Sequence, residues 1–132
     1  MNKKVLIVED DDSLREALSL LLCDEGYSVT TAVNGLDGLR TIRAAPEMPG
    51  VILLDLTMPV MNGQTFLEKQ RSDPALADVP VVVLTAGNIT SGRSPVVGVR
   101  CLGKPIDIDA LLVLVARYCS VDPDPDPDRG LT

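Results

Sequence analysis

The chain has 132 residues, the length of one domain, and its 45% hydrophobic content is enough for a single sizeable core. Its formal net charge of -7 disfavours electrostatic capture of nucleic acid or of an anionic membrane surface. The chain contains no histidine. His-based catalytic triads, His-ligated zinc and phosphohistidine formation on the chain itself are therefore excluded.

The cysteines and the apolar runs indicate the compartment. Cys23, Cys101 and Cys119 are scattered and form no Cys-x-x-Cys pair, so buried free thiols in a reducing environment are expected. The longest apolar run, Ala110 to Ala116, is far shorter than the roughly 20 residues that cross a bilayer. We expect a soluble cytoplasmic protein with no membrane association.

Short β-branched runs alternate with helical patterns along the chain. This alternation predicts an α/β fold in which a parallel sheet carries helices on both faces. Strands are expected, in chain order, over Lys4 to Val8, Ser28 to Val33, Val51 to Leu54, Val81 to Thr85 and Val99 to Leu102.

The first helix has the clearest signals. Ser13 and Glu16 are spaced as a capping box, and Gly26 supplies the stop. The residues that recur at helical spacing are Leu14, Ala17, Leu18, Leu21 and Leu22. Asp11 and Asp12 are expected to be only the solvated start of this helix.

Three further helices and one weak segment follow. The second helix begins after Asn34 and Gly35, the third runs from about Gln64 to Arg71, and Asp107 is the expected N-cap of the last. The segment from Ala86 to Gly98 has little helix propensity, because it combines glycines, a proline and polar β-branched residues. Any helix there should be short or frayed.

The end of the chain has a different composition. From residue 121 it reads VDPDPDPDRGLT, a run of Asp-Pro repeats with few backbone donors and little apolar surface. We expect a folded domain over residues 1–119 and a disordered acidic tail over residues 120–132. No DNA-binding or catalytic sequence follows residue 119, so any output is expected to pass through a partner or a missing polypeptide.

Polar residues collect where the predicted strands end. Glu9 and Asp10 follow the first strand, Asp55 ends the third, Thr85 ends the fourth, and Lys104 follows the fifth. Ligands of doubly wound sheets bind outside these carboxyl ends. If the first and third strands are neighbours, the three carboxylates converge. An all-oxygen cluster with room for water suits Mg²⁺ better than Ca²⁺.

The other two residues make this edge suitable for a phosphoryl group. Lys104 supplies an ammonium and Thr85 a hydroxyl donor opposite the acids. Neither GxxxxGK[ST] nor GxGxxG occurs, so the chain has no nucleotide cradle. The phosphoryl group is therefore expected to arrive from elsewhere and to be transferred to a protein nucleophile, for which Asp55 is the candidate.

Four segments resemble the receiver domain of two-component response regulators. They are IVEDD at 7–11, LLDLTMPVMNG at 53–63, VVVLTA at 81–86 and GKPID at 103–107. They occur in the family's order and spacing, from about Lys3 to Cys119. The resemblance implies a flavodoxin-like, doubly wound, five-stranded parallel sheet of order 2-1-3-4-5.

The resemblance also implies a metal site. Asp55 matches the phosphoacceptor, Asp10 a direct Mg²⁺ ligand, and Glu9 the second acid, which usually acts through a metal-bound water. Thr57 matches the position whose backbone carbonyl completes the metal shell. Thr57 and Gly87 also match positions that govern water access, and hence the lifetime of the phosphoryl group.

The remaining matches concern switching and partners. Thr85 matches the switch hydroxyl, Lys104 the phosphate-contacting lysine, and Pro105 a residue whose preceding peptide is often cis. The resemblance implies phosphorylation by a sensor histidine kinase or a histidine phosphotransfer protein. It implies a signalling module that catalyses only its own phosphorylation and dephosphorylation, with an output partner that the sequence leaves unknown. The net charge of -7 predicts no direct contact with nucleic acid.

Two departures leave alternatives open. One is the stretch from Thr85 to Lys104, which looks shorter than is common in the family and agrees with the weak segment described above. Because many relatives bind partners on that face, we expect an unusual or mobile output surface. Cys101 stands where the family usually has an aromatic residue that turns inward on activation, and a thiol cannot make the same movement. Both departures favour a pseudo-receiver, the same fold kept as an interaction module without phosphorylation. A phosphatase with Asp55 as nucleophile is a further alternative, but Thr57 stands where such enzymes have a second carboxylate.

Overall fold

The computed structural model describes residues 2–56, 61–85 and 99–119. Strands and helices alternate through these ranges. The strands are β1 (Lys4–Val8), β2 (Ser28–Ala32), β3 (Val51–Asp55), β4 (Val81–Thr85) and β5 (Arg100–Gly103). The helices are α1 (Asp12–Asp24), α2 (Gly35–Ala44), α3 (Gly63–Ser72) and α4 (Ile108–Cys119).

The five strands form one parallel sheet in the order β2-β1-β3-β4-β5. The chain winds outward from β1 in both directions, so β1 and β3 are neighbours at the point where the strand order reverses. Val8 is in register with Leu54, and Asp55 is in register with Leu84. The predicted flavodoxin-like fold is confirmed, and it puts the carboxyl ends of these strands side by side.

Within the described ranges, each face of the sheet packs against two helices. One face holds α1 and α4, and its buried residues include Ile7, Leu18, Leu22, Leu53, Leu111 and Val115. The other face holds α2 and α3, and its buried residues include Val8, Leu39, Ile42, Leu54 and Phe66. Every residue of β3 is buried. Burial on both faces explains why the central strands read as continuous apolar runs.

The start of α1 differs from the prediction. The capping residue is Asp11, whose side chain accepts hydrogen bonds from the backbone N–H groups of Ser13 and Leu14. The predicted capping box of Ser13 and Glu16 is wrong, because α1 begins at Asp12 and Ser13 already lies inside its first turn. Ala17, placed with the leucines by its spacing, is exposed.

The other boundaries lie within about one residue of the predictions. Strand β2 ends at Ala32, because the N–H of Val33 donates to the Asp37 carboxylate at 3.0 Å instead of pairing within the sheet. Gly26 has a φ of 93° directly after α1, as its predicted role as a stop requires. Asp107 accepts a hydrogen bond from the N–H of Ala110 at 3.2 Å, as an N-cap does.

Some predictions fall elsewhere in the chain. Three of them concern residues outside the described ranges: the roles expected of Thr57 and Gly87, the weak segment from Ala86 to Gly98, and the acidic tail over residues 120–132. Among the helices that are described, none combines the length and apolar character needed to span a bilayer.

Candidate functional site

The carboxyl ends of β1 and β3 bring the predicted acids together. Glu9 follows β1 directly, and its N–H donates to the carbonyl of Ala32 at 3.1 Å, which extends the pairing with β2 by one residue. Asp55 is the last residue of β3. The N–H of Leu56, just beyond it, donates to the carbonyl of Leu84 at 3.2 Å. Backbone pairing therefore fixes both acids where the strands end.

Glu9, Asp10 and Asp55 form a compact carboxylate cluster. One oxygen from each residue lies within 4.8 Å of the others. Glu9 is 0% exposed and Asp55 3% exposed, whereas Asp10 is exposed to solvent. Three like charges at such short range repel one another, and a nearby cation relieves that repulsion. The expected convergence of these three carboxylates is confirmed.

Lys104 supplies a positive charge to this cluster. Its Nζ lies 2.9 Å from Oε1 of Glu9 and 3.5 Å from Oδ1 of Asp55. Burial alone lowers the pKa of Lys104, but the hydrogen bond that its ammonium donates to Glu9 and the negative charges of Asp55 and Glu9 outweigh this effect, so the net shift of the pKa is upward. The ammonium is therefore held in its charged form beside the two buried carboxylates.

The backbone around Lys104 aims this side chain. Its N–H donates to the carbonyl of Thr85 at 2.7 Å, and Thr85 is in register with Gly103 across β4 and β5. The peptide bond between Lys104 and Pro105 is cis, as the resemblance implies. Thr85 itself lies at the same end of the sheet and is half-buried. Five of the predicted site residues, Glu9, Asp10, Asp55, Thr85 and Lys104, thus share one edge.

Two contacts at Glu9 were not predicted from the sequence. Its second carboxylate oxygen, Oε2, accepts the N–H of Asp11 at 3.1 Å. Its backbone carbonyl accepts from Nη1 of Arg15 at 2.9 Å, while Nη2 of Arg15 pairs with Asp12. The spacing of Asp12 and Arg15, three residues apart on one helix, signals their ion pair, but no sequence signal points to the contact of Arg15 with the Glu9 carbonyl.

The loop after Asp55 returns through a close backbone contact. The N–H of Gly63 donates to the carbonyl of Leu56 at 2.9 Å. A Cβ on Gly63 would lie only 2.5 Å from the carbonyl oxygen of Asp55. Any side chain at residue 63 would therefore push against the segment that carries the candidate nucleophile.

The donor set of the cluster fits Mg²⁺. It consists of carboxylate oxygens alone, it includes one solvent-exposed acid, and Lys104 neutralises only part of its charge. Hard oxygen donors with space for several waters are the ligands that Mg²⁺ prefers.

Cys101, the departure from the family pattern, lies on β5 in register with Val83. It is half-buried, and this burial raises the pKa of its thiol.

Comparison with known proteins identifies the family. Residues 5–116 match the response regulator receiver domain. The chain is 35% identical over 125 residues to the probable transcriptional regulator ycf29 of Pyropia yezoensis, which covers 92% of this chain and 55% of the relative. It is 41% identical over 111 residues to the transcriptional regulatory protein GlrR of Escherichia coli K12, which covers 81% of this chain and 24% of the relative.

A solved structure agrees. The chemotaxis response regulator CheY4 of Vibrio cholerae superimposes with a TM-score of 0.77 at 32% identity, covering 89% of this chain and 99% of that one. The chain spans about half the length of ycf29 and about a quarter of GlrR. Because both relatives are transcriptional regulators, the comparisons do not support the expectation that nucleic acid plays no part. The fold, the ordered motifs and these matches show that the chain belongs to the response regulator receiver domain family.

Proposed function

We propose that this receiver domain accepts a phosphoryl group on Asp55 in a Mg²⁺-dependent reaction. The donor is the phosphohistidine of a sensor histidine kinase or of a histidine phosphotransfer protein. The phosphorylated form then binds its output partner through an altered surface. Receiver domains are regulatory signalling modules rather than enzymes that turn over a substrate, so the only chemistry proposed is the domain's own modification and its reversal.

The observation that carries this proposal is the position of Lys104. Its ammonium lies 3.5 Å from a carboxylate oxygen of Asp55, and two further acids stand beside that residue. A nucleophilic carboxylate next to a cation and a hard-metal donor set is the arrangement that phosphoryl transfer requires. A purely structural ion pair would not need the exposed third acid, Asp10.

The chemical step follows from these positions. An oxygen of Asp55 attacks phosphorus in line with the bond to the donor nitrogen. The P–N bond breaks, its electron pair remains on the imidazole, and the imidazole takes up a proton from water. Lys104 moves with the negative oxygens of the transferred group and stabilises their charge. The product is an acyl phosphate on Asp55.

Asp10 and Asp55 would hold the metal directly, with Glu9 acting through a bound water and Thr57 through its carbonyl, as the family pattern implies. Bound Mg²⁺ supplies a charge that offsets the growing negative charge of the phosphoryl oxygens. Thr85 is proposed to follow the phosphoryl group and so to bias a two-state equilibrium of the domain. Water then hydrolyses the acyl phosphate and restores the carboxylate.

A phosphodonor assay tests the proposal. The purified protein is incubated with acetyl phosphate, with Mg²⁺ or with EDTA, and intact mass is recorded. We expect one phosphoryl addition that requires Mg²⁺ and is absent in Asp55→Asn. The matched control Asp24→Asn, an exposed acid at the end of α1, should be modified like the unchanged protein. An addition that persists in Asp55→Asn would contradict the assignment of the nucleophile.

The alternative, a pseudo-receiver that acts without phosphorylation, predicts no addition with acetyl phosphate or with any histidine kinase. The grouping of Glu9, Asp10, Asp55 and Lys104 does not favour it. The related transcriptional regulators are longer than this chain. A role in controlling transcription, through a partner or a linked domain, is therefore the output we propose to test first.

A further inference from the structure

We infer that Asp11 is a positioning residue that orients Lys104 through Glu9. Asp11 is exposed and would ordinarily be regarded as nothing more than the first polar residue of a helix. In this protein its side chain and its backbone N–H have different partners. The side chain organises the start of α1, and the N–H reaches the buried carboxylate at the candidate site.

The side chain fixes the conformation of the residue. Oδ1 of Asp11 accepts hydrogen bonds from the N–H groups of Ser13 at 3.0 Å and Leu14 at 3.1 Å. Such a cap holds its residue in extended conformation ahead of the helix, and Asp11 has φ -73° and ψ 110°. The direction of the Asp11 N–H is therefore tied to the first turn of α1.

That N–H then holds one side of Glu9. It donates to Oε2 at 3.1 Å, while Oε1 accepts from Nζ of Lys104 at 2.9 Å. Glu9 is 0% exposed, so water cannot readily replace a lost donor at a charged oxygen. A carboxylate with a protein donor on each oxygen has one preferred orientation. If the Asp11 N–H no longer held Oε2, the Glu9 carboxylate could rotate, and Oε1 would move together with the Lys104 ammonium.

The consequence for function rests on the proposed phosphorylation of Asp55. Lys104 must meet the oxygens of the incoming phosphoryl group, and the ammonium that Glu9 orients is the one whose Nζ stands 3.5 Å from Asp55. Loosening Asp11 should therefore lower the phosphorylation rate at saturating donor. It should leave the donor concentration for half-maximal rate nearly unchanged, because Asp11 itself does not contact the donor.

Three variants separate this role from a simple capping role. Asp11→Ala removes the cap, whereas Asp11→Asn removes the charge but keeps an equally good capping oxygen. Asn34→Ala is the matched control, because Asn34 caps α2 by accepting the N–H of Asp37 at 2.8 Å and has no described contact with the carboxylate cluster. If Asp11→Ala does not fold, Asp11→Gly replaces it, since glycine is tolerated at this position.

The first readout needs neither metal nor phosphodonor. The side-chain ¹⁵N–H signal of Lys104, assigned with Lys104→Arg, is recorded by NMR in EDTA. An ammonium held by a buried carboxylate exchanges its protons slowly and gives a sharp signal. We expect this signal to broaden or disappear in Asp11→Ala, and to remain in Asp11→Asn and Asn34→Ala. An unchanged signal in Asp11→Ala, or equal loss in Asn34→Ala, would overturn the inference.

The second readout is the phosphorylation rate with acetyl phosphate and Mg²⁺. Asp11→Ala keeps the backbone N–H but removes the cap that orients it, so we expect a loss of roughly tenfold in the rate at saturating donor, the size of effect expected when one charged hydrogen bond is weakened. Asp11→Asn should recover it, and Asn34→Ala should match the unchanged protein. Equal rates in Asp11→Ala and Asn34→Ala would also count against the inference. If the unchanged protein is not phosphorylated at all, the proposed function fails, and the NMR comparison alone then decides the role of Asp11.

Discussion

Lys104 and Glu9 are separated by 95 positions in the chain, yet Nζ of Lys104 lies 2.9 Å from Oε1 of Glu9. The pair joins the loop after β5 to the end of β1 across the edge of the sheet. Glu9 is fully buried, whereas the side chain of Lys104 keeps 23% of its exposure. Loss of the ammonium would therefore leave a buried carboxylate without its main counter-charge.

A double-mutant cycle measures this coupling. Lys104→Met should lower the free energy of unfolding by about 2 kcal/mol, because an unpaired buried charge is costly. Adding Glu9→Gln to the Lys104→Met variant should recover part of that loss, and the cycle should give a coupling energy between the two residues of about 1–3 kcal/mol. Urea unfolding in EDTA, followed by circular dichroism, gives the free energies of unfolding of the unchanged protein, the two single variants and the double variant.

The exposed pair of Lys4 and Glu47 provides the control cycle. Its Nζ–Oε2 distance is 3.0 Å, but the two side chains are 39% and 72% exposed. Exposed ion pairs contribute at most about 1 kcal/mol. A coupling between Lys104 and Glu9 no larger than that of the control pair would show that burial adds nothing to their interaction.

Magnesium should stabilise the folded protein through Asp10. A ligand at tenfold its Kd raises the free energy of unfolding by about 1.4 kcal/mol when it binds only the folded state. We expect Mg²⁺ to raise the melting temperature, and Asp10→Asn to abolish most of that increase. Thermal unfolding with MgCl₂ or with NaCl of equal ionic strength tests this, with Asp24→Asn as the control. An equal shift in both variants would mean that Mg²⁺ acts elsewhere.

The parallel topology made much of the site predictable. Once β1 and β3 are adjacent, residues that follow them must meet at one edge, so Glu9, Asp10 and Asp55 could be grouped from the sequence. Lys104 could be assigned to the same edge because it follows β5. These predictions depend on strand order and direction, which the alternation of apolar runs and helices already encodes.

Contacts that depend on local geometry could not be predicted in the same way. Asp11 and Ser13 are both good capping residues, and the choice between them depends on which residue is extended ahead of the helix. The same choice aims the Asp11 N–H at Glu9. Likewise, the end of β2 depends on the side chain of Asp37, four residues beyond Val33. Sequence patterns do not resolve such competition between neighbouring donors and acceptors.

Gly63→Ala tests the close backbone contact behind Asp55. Helix propensity alone predicts that this change at the start of α3 stabilises the protein by about 0.5–1 kcal/mol. The new Cβ would stand 2.5 Å from the Asp55 carbonyl oxygen and 2.7 Å from Cα of Leu56. We therefore expect a loss of about 1–3 kcal/mol, the range for overpacking. Urea unfolding decides the sign, with the exposed neighbour Gln64→Ala as control; a gain at Gly63 would contradict the geometry.

The pH dependence of stability should report the buried thiol of Cys119. The side chain is 1% exposed, and this burial raises the pKa of its thiol, although the charge of Lys3 partly opposes the shift. The folded state therefore keeps the proton at a pH where the unfolded chain, with a thiol pKa of about 8.5, releases it. The full stabilisation by the protonated thiol is present below about pH 8.5, the pKa of the thiol in the unfolded chain. It is lost as the pH rises toward the higher pKa of the thiol in the folded state.

The slope can reach about 1.4 kcal/mol per pH unit above pH 8.5, because unfolding then releases one proton. Urea unfolding between pH 7 and 10 should show a steeper decline in the unchanged protein than in Cys119→Ala, which has no thiol at this position to titrate. Cys23→Ala, at an exposed cysteine, should keep the steep decline. Parallel curves for the unchanged protein and Cys119→Ala would mean that the thiol has the same pKa in the folded and unfolded states. The close packing of this thiol argues against that outcome, because even a Cβ added to Gly50 would lie only 3.2 Å from Sγ of Cys119.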